Sequence, residues 1–269
     1  MKGLLLIETA LILKKKNILF IYILGFFIFL QVFLFISTKN IEEANAIISD
    51  GALSIYGGLY KNFSLINILN WMTVVGLLLI IVQSNNSGIE GLNTILLLKV
   101  GNKIKWWFSK IISLFFLNFI YAILFVLGTR LIVSLFCESS IYWSKYTQIY
   151  FNNIYNSNIQ TYTLEILLFS ILITGFLALT TLFHNINLIC NNSKCHVMLT
   201  LISFILSVLY INEYIPRELS PLFYPSTLDL NANVSEYFSS IKFNVIFTLI
   251  NVALGMVIVT KKSFVIIEN

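Results

Sequence analysis

Proline, cysteine, histidine and charge are all scarce in this chain. Its 269 residues include 3 Pro, 3 Cys and 2 His, and 11% are charged. Few cysteines exclude a disulfide-stapled scaffold. Few prolines, with only 12 Gly, exclude collagen-like and low-complexity classes. A soluble domain carries about 25% charged residues, so this chain has less than half the usual means of covering a water-facing surface. What it has instead is apolar: 58% hydrophobic and 15% aromatic residues, with a mean hydropathy of +0.88. The composition is that of a polytopic membrane protein.

A bilayer core of about 30 Å needs roughly 17–25 apolar helical residues per crossing. Six runs meet or approach that length: Ile18–Ser37, Leu65–Val82, Ile111–Phe136, Leu164–Phe183, Val197–Ile211 and Phe243–Thr260. They are continuous rather than alternating, which disfavours a membrane barrel. Arg130 interrupts the third. That helix either ends near Gly128 or runs on, tilted, with Arg130 reaching the outer headgroups. The fifth is short and reads as either a span or a re-entrant segment. The expected fold is an all-α membrane protein in one domain, residues 1–269, with six transmembrane helices.

The basic loop residues set the orientation. With the N-terminus inside, 11 of the 17 Lys and Arg fall inside, against 3 of the 12 acids, so the inner face carries +8 and the outer −3. Both termini are then cytoplasmic. The positive balance reflects topology, and no nucleic-acid partner is expected. At the N-terminus, Glu8 and Lys14–Lys16 break the apolar run Leu4–Leu13 and no small-residue cleavage site follows. This disfavours a signal peptide. Residues 1–16 read as a helix on the inner surface, its lysines on anionic lipid headgroups.

Enzyme signatures are missing. The sequence contains no His-Glu-x-x-His helix, no Gly-x-Ser-x-Gly elbow and no phosphate-binding loop. Glu42-Glu43 is similar to the glutamate pair of prenyl-endopeptidase-type intramembrane proteases, but their Arg and later His are lacking, and a solvated outer loop is the expected setting. His184, Cys190, Cys195 and His196 match no standard metal spacing. No catalytic residue and no metal site are expected. Cys137 stands apart, near the outer end of the third span.

The spans also lack ionisable residues at mid-membrane, where ion-coupled carriers place them. Any transport then draws its energy from another subunit. Gln31, Asn70, Asn118, Thr174 and Asn251 are the candidates for a substrate path, and Thr180 and Thr181 accompany them. The alternative for these amides and hydroxyls is bonding between helices or back to their own backbone.

The inner loop between spans two and three reads QSNNSGIEGLNTILLLKVGNKIKWWFSK over residues 83–110. A polar turn leads into a short helix, Glu90–Val100, with an acid in its first turn and Lys99 in its last, as the helix dipole favours. Gly101 stops it, and Trp106-Trp107 reads as an interfacial belt before the third span. A helix presented this way, over residues 88–103, suits a groove in a partner.

On these residues the chain resembles the permease subunits of ABC transporters of the ABC-2 type. That family carries in this loop Glu-Arg, Gly-Thr, a Leu pair, Thr-Pro, an Arg, and a Lys seven residues later. Here stand Glu90, Thr94, Leu97-Leu98, Lys103 in place of the Arg, and Lys110 seven beyond it. Asn93 replaces the Gly, no Arg follows Glu90, Gly101 sits roughly at the Pro, and the Thr94–Lys103 spacing is about one residue short. The family also has six spans, an N-terminal interface helix, and often a Pro-containing outer segment between spans five and six. Here that place, residues 213–240, holds Pro216, Pro221 and Pro225.

The resemblance implies an ABC-2 permease bundle whose pore is formed by two permease subunits, identical or paired with a second kind. These stand on two cytoplasmic ABC ATPases, which hold the ATP and Mg; this chain hydrolyses nothing itself. Glu90, Asn93, Thr94, Leu97, Leu98 and Lys103 form the coupling surface. The implied cargo is hydrophobic or amphipathic, such as a peptide antibiotic or bacteriocin exported for self-protection. The rival reading is a non-transporting assembly, anchoring or ligand-sensing protein that uses its outer loops, Thr38–Ser64 and Glu138–Thr163.

Overall fold

The computed structural model describes residues 15–41, 45–58, 65–87, 102–157, 159–190, 193–228, 230 and 233–261. The surface helix expected over 1–16 and the coupling helix over 88–103 therefore lie almost wholly outside the described residues. Glu90, Asn93, Thr94, Leu97 and Leu98 fall there, as do Glu42 and Glu43.

The described chain is helical, with no strand among the described residues beyond an isolated pairing of Ile47 with Glu138. Six long helices are α1 (Lys15–Ile41), α3 (Leu65–Ser87), α4 (Lys103–Val133), α7 (Thr161–Cys190), α8 (Ser193–Ile211) and α9 (Val234–Lys261). Three short ones, α2 (Ile48–Tyr56), α5 (Lys145–Tyr150) and α6 (Asn152–Tyr155), lie between them. Two single 3₁₀ turns, Arg217–Leu219 and Pro221–Phe223, separate α8 from α9.

Among the described residues, four helices are long and apolar enough to cross a membrane: Leu19–Thr38, Lys103–Val133, Thr161–Ile189 and Val234–Lys261. The chain is thus built for a membrane environment. The other two expected spans are helical as well, and their described side chains include the apolar stretches Ile68–Gln83 and Met198–Ile211. α4 settles the Arg130 alternative: the helix runs on to Val133. α9 starts nine residues before the apolar run that announced it, because helical backbone continues through the polar stretch Ser235–Lys242, starting where the Asn233 side chain accepts the Ser235 N–H at 3.2 Å.

α7 is the hub, contacting α2, α3, α4, α8 and α9. Contacts at matched heights fix the directions. Arg130 meets Glu165 and Trp107 meets His184, so α4 and α7 are antiparallel. Asn244 meets Thr174 and Asn251 meets Asn185, so α7 and α9 run parallel.

These helices are apolar all round and do not use an apolar stripe to choose their buried side. On α9 the buried residues are Tyr237, Ser240, Asn244, Thr248, Asn251, Gly255 and Val259, a repeat of three and four. The opposite side exposes Val245, Ile246, Leu249, Ile250, Leu254 and Val257. Small and polar residues face in and aliphatic ones face out, the inverse of a soluble helix. In lipid an aliphatic face gains nothing by burial, while small residues allow close approach and polar ones bond across helices.

Candidate functional site

The segment 216–228 enters the bundle. Gly175 is the fifteenth residue of α7, about 21 Å along its axis from Thr161 at 1.5 Å per residue. A Cβ there would overlap the backbone of Tyr224 and Pro225. The segment therefore reaches the middle of α7, where it is nonhelical and buried from Ser220 to Leu228. Pro221 and Pro225 lie in the buried part; Pro216 marks the exposed entry.

Irregular backbone at such depth persists only if its polar groups are satisfied from the protein side, and here side chains do so. Trp71 Nε1 on α3 donates to the Leu222 carbonyl at 2.9 Å. Arg217 donates to the carbonyls of Phe223 at 2.7 Å and Ser226 at 2.8 Å, and to Ser240 Oγ on α9 at 3.0 Å. Asn244 Nδ2 donates to the Tyr224 carbonyl at 2.9 Å. The Thr227 N–H and hydroxyl and the Leu228 N–H all converge on the Gly57 carbonyl, at 2.8, 2.8 and 3.2 Å. Tyr224 packs edge-on against Phe243 and Phe247, and its hydroxyl donates to the Glu218 carbonyl at 2.8 Å.

The five residues proposed for a substrate path separate into two groups. Asn118 on α4 donates to Thr180 Oγ1 on α7 at 2.8 Å and to the Leu114 carbonyl at 2.8 Å. Thr174 turns back to the Ser170 carbonyl, and Asn251 to that of Phe247, both at 2.8 Å. All three sit in helix seams. Gln31 on α1 and Asn70 on α3 instead line one crevice, together with Phe27, Ser54, Gly58 and Trp71.

At the Trp107 end, the two tryptophans expected in an interfacial belt are buried. Trp107 stacks on His184 at 5.3 Å between centroids and donates to the Val252 carbonyl at 3.1 Å. Room for it comes from Gly255, where a Cβ would overlap the indole. Lys110, counted with the inner loop, is buried on α4 with Nζ 5.8 Å from the Trp106 ring centroid. Lys103 Nζ donates to the Thr260 carbonyl in the last turn of α9 at 3.3 Å, where the helix dipole favours a cation. Gly255→Ala should cost about 2 kcal/mol, since the indole must shift off His184; a lower melting temperature with red-shifted tryptophan emission measures it.

At the Arg130 end, α2, α5 and α6 form a cap. Arg130 Nη1 pairs with Glu165 Oε2 at 2.7 Å, and Ser49 donates to the other oxygen at 2.6 Å. Asp50, fully buried, accepts the Ile47 N–H at 2.7 Å, the Ser144 hydroxyl at 2.5 Å and the Thr147 hydroxyl. Burial pushes the Tyr146 phenol up to about 12. Cys137 is buried and is not part of a disulfide.

Sequence reasoning singled out none of Asp50, Arg217, Asn185 or Asn244. The Ser240-Asn244-Thr248-Asn251-Gly255 spacing was the available signal for Asn244; Asp50 and Arg217 bond to residues that no local pattern connects. No group of three or more His, Cys, Asp or Glu suited to a metal occurs among the described residues. Compared with family models, curated proteins and solved structures, the chain matches none, and its function is to be argued from its own residues.

Proposed function

We propose that this chain is the membrane-spanning permease subunit of an ATP-driven exporter of the ABC-2 type, spanning the membrane six times with both termini cytoplasmic. The carrying observation is the segment 216–228, seated against the middle of α7 between the fifth and sixth long helices. The resemblance in the 83–110 loop and the lysine-rich inner face support the same reading.

The contacts suggest how work at one end reaches the other. The partner ATPases, holding ATP and Mg, press on the segment of residues 88–103, which leads directly into α4. The start of α4 is tied to α7 through Trp107–His184 and to α9 through Lys103–Thr260 and Trp107–Val252. Those two helices hold the buried segment through Gly175 and Asn244. Nucleotide binding favours one arrangement of this tied set, the condition for coupling between distant sites. The energy enters from outside the chain, which does no chemistry of its own.

The cargo in this reading is an apolar or amphipathic compound, of which peptide antibiotics are the first class to test. Deleting the chain should sensitise cells to at least one such compound, and complementation should restore growth. Unchanged sensitivity across the class overturns the export reading and favours a non-transporting role.

A further inference from the structure

We propose that the crevice between α1 and α3 binds the amide group of a membrane-dissolved amphipath; this deepens the permease reading and names the chemistry its cargo presents. Gln31 and Asn70 are the amides that face it, with Ser54 and the backbone at Gly58 beside them and Phe27, Ile55, Trp71 and Val74 as its apolar wall. Neither amide has a hydrogen-bond partner among the described residues, whereas Asn118, Asn185, Asn244 and Asn251 all donate to protein groups. Within an apolar helix, two such groups left without partners are costly, and a ligand that bonds to both offsets that cost.

A carboxamide donates and accepts at once, so a pair of them suits another amide. Among the described residues no titratable side chain lines the crevice, which favours a neutral group there. Gln31 lies ten residues before the end of α1 and Asn70 five residues after the start of α3. Both are therefore within about 15 Å of the Arg130 end, and a ligand reaches them sideways from the lipid.

The crevice also touches the buried segment. Gly58, at φ +91°, lies where any Cβ would overlap Ser226, and its neighbour Gly57 receives the Thr227 and Leu228 bonds. Trp71 holds the Leu222 carbonyl. An occupant therefore sits against Trp71, which holds the segment, and against Gly58, which packs on Ser226.

The test is photolabelling of the purified full chain in nanodiscs with four diazirine probes: a fatty amide, an acylated apolar dipeptide, and the chain-matched fatty acid and quaternary amine. Label should map by mass spectrometry to residues 27–31 and 70–74 for the two amide probes only. It should fall about tenfold or more in the Q31L/N70L double variant, with elution unchanged and the melting temperature not lowered. The single variants Q31L and N70L carry the test if the double does not fold. Equal labelling of these variants, or equal labelling by the charged probes, overturns the site. The dipeptide labelling more than the simple amide assigns a peptide cargo, and the reverse a simple acyl amide. Site-specific label with no export overturns the permease reading alone; export without label at these residues overturns the site alone.

Discussion

Gly175→Ala should dislodge segment 216–228 from the bundle. The added methyl would overlap the backbone of Tyr224 and Pro225, and backbone cannot turn aside as a flexible side chain can. Nor can the segment yield locally, since side chains on α3 and α9 grip the carbonyls of Leu222 and Tyr224 up to the contact, and the Gly57 carbonyl holds Thr227 and Leu228 beyond it. Overpacking a rigid site costs up to about 3 kcal/mol, and here release of the segment is the relief available. Two readings follow: a lower melting temperature, and a cysteine introduced at Ser226, buried in the parent, reacting with a water-soluble maleimide. An unchanged melting temperature together with a protected cysteine contradicts the seating of the segment.

Arg217→Ala should release the same segment from its other anchor. The guanidinium serves two carbonyls, of Phe223 and Ser226, and one hydroxyl on α9. Phe223 and Ser226 are fully buried, so removal leaves both carbonyls without this donor. The Phe223 carbonyl keeps the Ser226 N–H at 3.0 Å, so the loss is that of hydrogen bonds to a charged donor rather than of two orphaned carbonyls, about 3 kcal/mol in all and comparable to the glycine variant. Arg217→Lys should recover little, because a single ammonium cannot reproduce a planar fork reaching three acceptors. Thermal unfolding of the two variants side by side measures this; full recovery by lysine shows that charge alone matters there.

Much of the bundle was legible in the sequence because apolar run length reports membrane crossing directly. All six runs became helices, four of them long and apolar enough to cross. Their boundaries were less legible, since hydropathy marks the apolar stretch and not the helix: α4 begins at Lys103 and α9 at Val234, each well before its run. Trp106-Trp107 was misread because aromatics flanking a span commonly face the interface. Gly255 on α9, which makes room for Trp107, is far away in sequence. The proline cluster located the buried segment, but not how its carbonyls are satisfied, which depends on Trp71, Arg217 and Asn244. The candidate path residues looked equivalent as amides and hydroxyls; only packing separates Gln31 and Asn70 from those bonded in seams.

This division shapes the functional account. α7 and α9 carry a polar inner seam and hold the buried segment, so in the proposed permease reading this pair is the one whose motion would accompany passage. The cap is tied to the start of α7, because Glu165 on that helix takes both Arg130 and Ser49.

The most direct test is to purify the chain from its native membranes and assay the preparation for ATP hydrolysis. The account predicts a P-loop ATPase in stoichiometric association, with hydrolysis stimulated by the cargo. Replacing Glu90–Val100 by a Gly/Ser linker should abolish stimulation while leaving the chain in the membrane. A chain that purifies without any ATPase, or stimulation that survives the replacement, contradicts it.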